Sequence, residues 1–262
     1  MSADALASAR ILVTNDDGIG APGIRVLEKI ARGLSRDVWV VAPETQQSAV
    51  SHSLTIRRPL RLSTLGPKRF AVDGTPTDCV LIGVHEVLKG RAPDLVLSGI
   101  NMGANLGEDI GYSGTVAAAM EACLLGLRAV AFSLDLPRNG TVPKQPRWET
   151  CAHFAPRIIR TLAGLSWPEA TLMNVNVPDL AVEAVTGIRV AHQGRRKDGL
   201  RLEKRADPEG RPYWWILDYT KEEVQPRGSD LSAINAGAIA VTPVTIDVTA
   251  KGFLPDLVAA FA

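Results

Sequence analysis

Residues 11–23, Ile-Leu-Val-Thr-Asn-Asp-Asp-Gly-Ile-Gly-Ala-Pro-Gly, constrain what this chain can fold into. The apolar run 11–13 is short and rich in β-branched residues, so it reads as a buried strand. Asp16 and Asp17 follow, and then Gly18. Neighbouring side chains in a strand point to opposite faces, so both carboxylates reach one point only if the chain turns there, which Gly18 permits. Two anions at the mouth of a buried strand repel, and one is pushed to protonate unless a cation lies between them. Two other readings stand beside the metal. Asn-Asp-Asp-Gly is good turn chemistry in itself. Gly18, Gly20 and Gly23 also fit the glycine pattern of a dinucleotide-binding turn, with Glu44 about 20 residues on to take a ribose. Against a dinucleotide, Asp16 and Asp17 face the pyrophosphate that such a turn attracts, and Pro22 removes one N–H donor.

The chain continues with a helical pattern at Ile24, Leu27, Ala31 and Leu34, and a second buried strand at 37–42. Strand, helix and strand make a βαβ unit, hence an α/β fold with a mostly parallel sheet and right-handed crossovers. Residues 43–53 form a polar loop past the second strand, where open α/β sheets bind ligands. Ser48 lies there and comes within reach of Asp16 and Asp17. His52 stands alone in that loop and is not read as a general base. Residues 55–62 and 68–73 read as antiparallel strands around a Gly-Pro turn. Thr75-Pro76-Thr77-Asp78 is a helix start with a capping box, so Asp78 is a cap rather than a catalyst. Val80, Leu81, Val84 and Leu88 give that helix its buried face.

Residues 95–98 form the next core strand, and the glycine-punctuated loop after it places Asn101 at the edge that carries Asp16. Ser113-Gly114-Thr115 opens an alanine-rich helix, a terminus suited both to an ordinary cap and to an anion. Further strands are expected at 129–134, 172–177, 189–191 and 238–248. Helices are expected at 148–165, with Ala152, Ala155, Ile159 and Leu162 inward, and at 254–261. Residues 193–227 carry a basic run (Arg195, Arg196, Lys197, Arg201, Lys204, Arg205), interleaved acids and Tyr213-Trp214-Trp215-Ile216. They read as a projecting β-arm whose aromatics bury against a neighbouring subunit.

With 262 residues and 46% hydrophobic content the chain can build one large core, so it is read as a single α/β domain over 1–262 with that arm appended. A net charge of +1 gives no field that selects nucleic acid or membrane. The first ten residues lack the basic and apolar segments of a signal peptide and read as a frayed lead-in. Three widely spaced cysteines, Cys79, Cys123 and Cys151, suggest reduced buried thiols and a cytoplasmic protein. Asp16, Asp17, Ser48 and Asn101 fall at corresponding strand ends. Oxygen-only donors favour Mg²⁺ or Mn²⁺ over zinc. A metal beside a phosphate cradle fits phosphoryl-ester hydrolysis, in which the metal polarises the phosphoryl oxygen and activates a bound water.

These segments resemble the SurE survival-protein nucleotidases. The matches are Asn15-Asp16-Asp17-Gly18 with Ala21-Pro22-Gly23-Ile24; Val41-Ala42-Pro43 with Ser48 and Ser53-Leu54-Thr55; Gly74-Thr75-Pro76-Thr77-Asp78-Cys79-Val80; Ser98-Gly99-Ile100-Asn101 with Gly103 and Asn105-Leu106-Gly107; and Tyr112-Ser113-Gly114-Thr115 running on to Glu121. Looser matches continue through 174–178, Ser229-Asp230 and 241–243. Gly20 departs from the family, whose members usually carry a side chain there. The resemblance implies a Rossmann-like phosphatase acting on nucleoside monophosphates, a 5′/3′-nucleotidase, with one Mg²⁺ or Mn²⁺ per subunit. It implies Asp16, Asp17, Ser48 and Asn101 as metal ligands, the two aspartates as the catalytic residues, and Asn105, Ser113, Gly114 and Thr115 on the phosphate. It also implies a homodimer or homotetramer built through the C-terminal arm. Metal-bound water is favoured over an aspartyl-phosphate, because both aspartates are committed as ligands. The other readings are a dinucleotide-binding oxidoreductase on the Gly18/Gly20/Gly23 turn and a non-catalytic nucleotide binder.

Overall fold

The computed structural model describes residues 3–136, 145–195, 201–217 and 225–262. Parts of the expected arm, including Arg196 and Lys197, lie outside the described residues. The lead-in is a short helix, α1 (Ala3–Ala7), rather than a frayed end, and its Leu6 is buried in the core. It leads to β1 (Arg10–Thr14), α2 (Pro22–Arg32) and β2 (Asp37–Pro43), with β1 and β2 parallel.

Next come β3 (Leu62–Gly66) and β4 (Arg69–Val72), an antiparallel pair, with β4 parallel to β2. The expected strand over 55–62 is therefore displaced. Pro59 has no N–H to give a ladder. The backbone around it is held by side chains instead: Thr55 N–H donates to Asp78 Oδ1 (3.0 Å) and Arg61 N–H to Asp73 Oδ1 (2.6 Å). The capping box expected for α3 (Pro76–Ile82) is present, with Thr75 and Asp78 satisfying each other's backbone. α3 ends sooner than its pattern suggests and passes into a π-turn at Gly83–Val87.

β5 (Leu95–Met102) runs four residues beyond the expected strand, through Asn101. After it come α4 (Gly114–Leu124), β6 (Ala129–Asp135), α5 (Trp148–Gly164) and β7 (Thr171–Pro178). Ala152 of α5 faces solvent, and Cys151 and Ile158 take the inward positions with Ala155, Ile159 and Leu162. The C-terminal part holds β8 (Ile188–Val190), a separate antiparallel hairpin of β9 (Arg201–Ala206) and β10 (Pro212–Leu217), then α6 (Asp230–Asn235), β11 (Ile239–Thr245) and α7 (Leu254–Phe261).

Among the described residues the main sheet has nine strands in the order β3-β4-β2-β1-β5-β6-β7-β11-β8. The run from β4 through β7 is parallel, and β3 and β11 enter it antiparallel. Both faces are covered. Ile11 and Val13 point to the core under α2 and α5, and Leu12 to the core under α3 and α4. Burial on both faces is why β1 reads as a continuous apolar run rather than an alternating one. The chain moves outward from β1 to β2 and β4 on one side, then returns to lay β5 on the other. That reversal opens a crevice between β1 and β5 at their carboxyl ends, the position where such sheets bind ligands.

Candidate active site

Asp16 and Asp17 leave the carboxyl end of β1 at this crevice. Gly18 turns the chain at φ +94°, and a side chain there would press on the Thr45–Gln46 backbone at 3.2 Å. The close pass is held by Ile19 N–H donating to Pro43 O (2.8 Å) and Gln47 N–H to Asp16 O (2.8 Å). The loop after β2 is thereby sewn to the first turn, and exposed Ser48 stands next to that seam. Ser48 Oγ accepts from Gln46 Nε2 (2.9 Å).

Asn101 arrives from β5. Gly99, at φ +128°, lies so near β6 that a Cβ would sit 2.3 Å from Phe132 O. The strand register shifts between Ser98 and Asn101 at this point. The Asn101 Nδ2 donates to Gly103 O (2.8 Å), and its Oδ1 has no hydrogen bond among the described residues. Met102 N–H donates to Asp17 Oδ2 (3.1 Å), so β5 also orients the second carboxylate, and Asp17 Oδ1 has no hydrogen bond among the described residues.

The amino end of α4 faces the same crevice. A side chain on Gly114 would come within 2.8 Å of Asp16 Cβ and 3.0 Å of its Oδ2. Glycine is therefore what lets the helix terminus touch Asp16. Ser113 is the N-cap, its Oγ accepting from Val116 N–H (3.1 Å), and among the described residues no acceptor takes its own proton. The Gly114 N–H lies in the first turn, where no helical carbonyl can take it. Thr115 differs from the sequence expectation in one respect. Its fully buried hydroxyl donates to Asp16 Oδ1, so the side chain orients the carboxylate, and its backbone N–H also favours the ionised form.

Asp16 is only 5% exposed. Burial pushes its pKa up to about 6, the Thr115 hydroxyl opposes that rise, and the neighbouring Asp17 adds to it. Burial raises Asp17 as well, against the Met102 N–H. Among the described residues no three His, Cys, Asp or Glu side chains gather as a metal cluster. A cation here therefore rests on two carboxylates with neutral oxygens. The donor set fits a hard ion that keeps several waters, as Mg²⁺ does. An anionic pair destabilised by burial fits it too.

Asn105 sits deeper, gripped by residues that sequence reading did not single out as site residues. Its N–H donates to Asn176 Oδ1 (2.8 Å) and its Nδ2 to Ser133 Oγ (2.8 Å). Its carbonyl accepts from Asn174 and Asn176 (2.8 and 3.0 Å). Two asparagines two apart on one buried strand were the available signal, since alternate strand residues share a face. Farther out, the carboxylate of fully buried Asp230 accepts from Gly107 N–H (2.9 Å) and Gly194 N–H (2.8 Å), tying the Asn105 loop to the root of the arm.

The three glycines of the dinucleotide pattern have different surroundings. Gly18 is needed for its turn. Gly23 is needed because a Cβ would lie 1.9 Å from Ile100 O, where α2 packs on β5. Among the described residues nothing lies within 4 Å of a Cβ at Gly20. The cysteines are all free and buried. Burial lifts the Cys79 thiol well above its ordinary range and pushes Cys151 up to about 12, which removes them as nucleophiles. No helix among the described residues is long and apolar enough to cross a membrane.

Comparison with known proteins agrees with this architecture. Residues 11–199 match the family model described as survival protein SurE. The chain is 55% identical to the 5′-nucleotidase SurE of Paramagnetospirillum magneticum, over 97% of this chain and 96% of that protein. It is 53% identical to the 5′-nucleotidase SurE of Rhodospirillum rubrum, over 98% and 97%. The crystal structure of the SurE protein from Aquifex aeolicus superposes with a TM-score of 0.84 at 38% identity, covering 97% of this chain and all of that one. The chain belongs to the SurE survival-protein family.

Proposed function

We propose that this chain is a metal-dependent 5′/3′-nucleotidase that hydrolyses nucleoside monophosphates to nucleoside and inorganic phosphate. The observation that carries the reading is the buried Asp16, beside Asp17, pressed against the amino end of α4 at the β1/β5 crevice. Asp16, Asp17, Asn101 and Ser48 hold one Mg²⁺ or Mn²⁺ in this reading. The ion supplies a Lewis acid for a phosphoryl oxygen and a water of lowered pKa. The protein's own groups do the rest. Ser113 Oγ–H and Gly114 N–H bind phosphate oxygens at the positive helix end. Asn105 offers the amide proton that Ser133 does not take. Thr115 and Met102 fix the two carboxylates.

The support over a dinucleotide-binding oxidoreductase is electrostatic: a pyrophosphate at this turn meets both aspartates, and Gly20 has no steric task. A non-catalytic nucleotide binder has no use for two destabilised carboxylates at the phosphate. Buried thiols suit a reducing compartment, so we place the protein in the cytoplasm. Purified protein with a nucleoside monophosphate and Mn²⁺ is expected to release phosphate, to stop in EDTA and to recover with added metal. Tight NAD binding in EDTA with no phosphate released from any mononucleotide would overturn the reading.

The hairpin and α7 are proposed as the assembly surface of a homodimer or homotetramer. A two-stranded hairpin is marginal by itself. Trp214, Trp215 and Ile216 are exposed on it, and Val258 and Phe261 on α7. The double variant Trp214→Ser/Trp215→Ser is expected to reduce the subunit number seen by light scattering. An unchanged number would remove the hairpin from the interface.

A further inference from the structure

The loop 44–54 carries Ser48, and two of its non-glycine residues, Ala49 and Ser51, adopt left-handed backbone at φ 56° and 54°. Such backbone in a non-glycine residue persists only where its surroundings hold it. The near end is held by Gln47 on the Asp16 carbonyl. The far end is held on α4 and the turn before it. Ser51 N–H donates to Tyr112 O (3.1 Å), Ser51 Oγ–H to Gly111 O (2.8 Å), and His52 Nε2 lies 2.9 Å from Glu121 Oε2. Glu121 is 7% exposed on an otherwise alanine-rich helix. A carboxylate so placed needs a partner, and among the described residues His52 supplies it.

We infer that the His52–Glu121 pair is a positioning latch that sets Ser48 against the cation site. Both ends of the latch matter to the chemistry. Glu121 belongs to the helix whose amino end carries Ser113 and Gly114, and His52 to the loop that carries Ser48. Closing the pair therefore fixes the separation of cation ligand and phosphate donors. The inference rests on the nucleotidase reading, but it concerns residues that touch neither metal nor substrate.

The test uses the full chain and Mn²⁺ itself. Isothermal titration should show Mn²⁺ bound about tenfold more weakly by His52→Ala, the loss typical of a group that orients a ligand. His52→Gln, which keeps an amide donor for Glu121, should recover most of that loss. Unchanged Mn²⁺ affinity in His52→Ala would overturn the latch, whether or not its thermal midpoint falls. Should that variant fail to fold, Ser51→Ala deletes the Gly111 bond without leaving a buried charge. It should weaken Mn²⁺ in the same direction, and wild-type affinity there would equally overturn the proposal. A wild type that binds no Mn²⁺ rejects the nucleotidase reading itself. A wild type that binds it, beside a His52→Ala that binds it equally well, rejects the latch alone.

Discussion

Asp17→Asn is expected to lower turnover of a nucleoside monophosphate by at least about a hundredfold, beyond the ten- to hundredfold typical of a group one step removed from a metal. The fold should survive. Asp17 is not fully buried, and its one hydrogen bond, from Met102 N–H to Oδ2, needs only an acceptor, which the asparagine oxygen supplies. What changes is the other atom. Asp17 Oδ1 has no hydrogen bond among the described residues, and an amide N–H₂ in its place offers two protons where a cation needs a lone pair. With only two carboxylates in the proposed donor set, one substitution halves its formal charge. Mn²⁺ affinity and turnover should therefore fall together, with the thermal midpoint of the metal-free protein near that of wild type. Wild-type turnover at modest Mn²⁺ would sink the assignment of Asp17 as a ligand.

How much of this site was readable beforehand depended on what kind of signal each residue left. Asp16, Asp17 and Gly18 are adjacent in sequence, and their conflict follows from charge and strand geometry alone. Ser113 and Gly114 open a recognisable helix, so their place at its amino end was legible too. Asn101 was placed at the right edge although β5 proved four residues longer, because burial on both faces hides where a strand stops. The Thr115 hydroxyl could not be assigned from sequence. Whether it faces a ligand or Asp16 depends on how closely α4 approaches β1, a distance set by the absence of a Cβ at Gly114. His52 and Glu121 are 69 positions apart, and neither carries a motif of its own without the other. The strand expected over 55–62 failed for a different reason. Its pattern was acceptable, but Pro59 and the carboxylates of Asp73 and Asp78 drew the backbone into side-chain hydrogen bonds.

Asp16→Asn is expected to abolish phosphate release and yet to stabilise the metal-free protein at neutral pH. The sign follows from its raised pKa. Unfolded, this carboxyl titrates near its ordinary value of 3.8, and folded it titrates at about 6. Below the lower value both states are protonated and nothing is lost. As pH rises through the interval, the folded state holds a proton that the unfolded state has released, so stability falls. Above the upper value the buried charge costs about 3 kcal/mol. Asparagine keeps an oxygen for the Thr115 hydroxyl and carries no charge to bury. In EDTA, the wild type should therefore lose stability relative to Asp16→Asn between about pH 4 and pH 7, and the variant should melt several degrees higher at the upper end. Other carboxyls titrate in the same window, so the difference between the two proteins is the quantity to follow by thermal melts. Saturating Mn²⁺ should reverse the order, because ligand binding to the folded state alone stabilises it and the variant binds the ion poorly. Parallel pH profiles in EDTA would mean that Asp16 bears no such cost, and the electrostatic argument for a cation at this turn would fail with it.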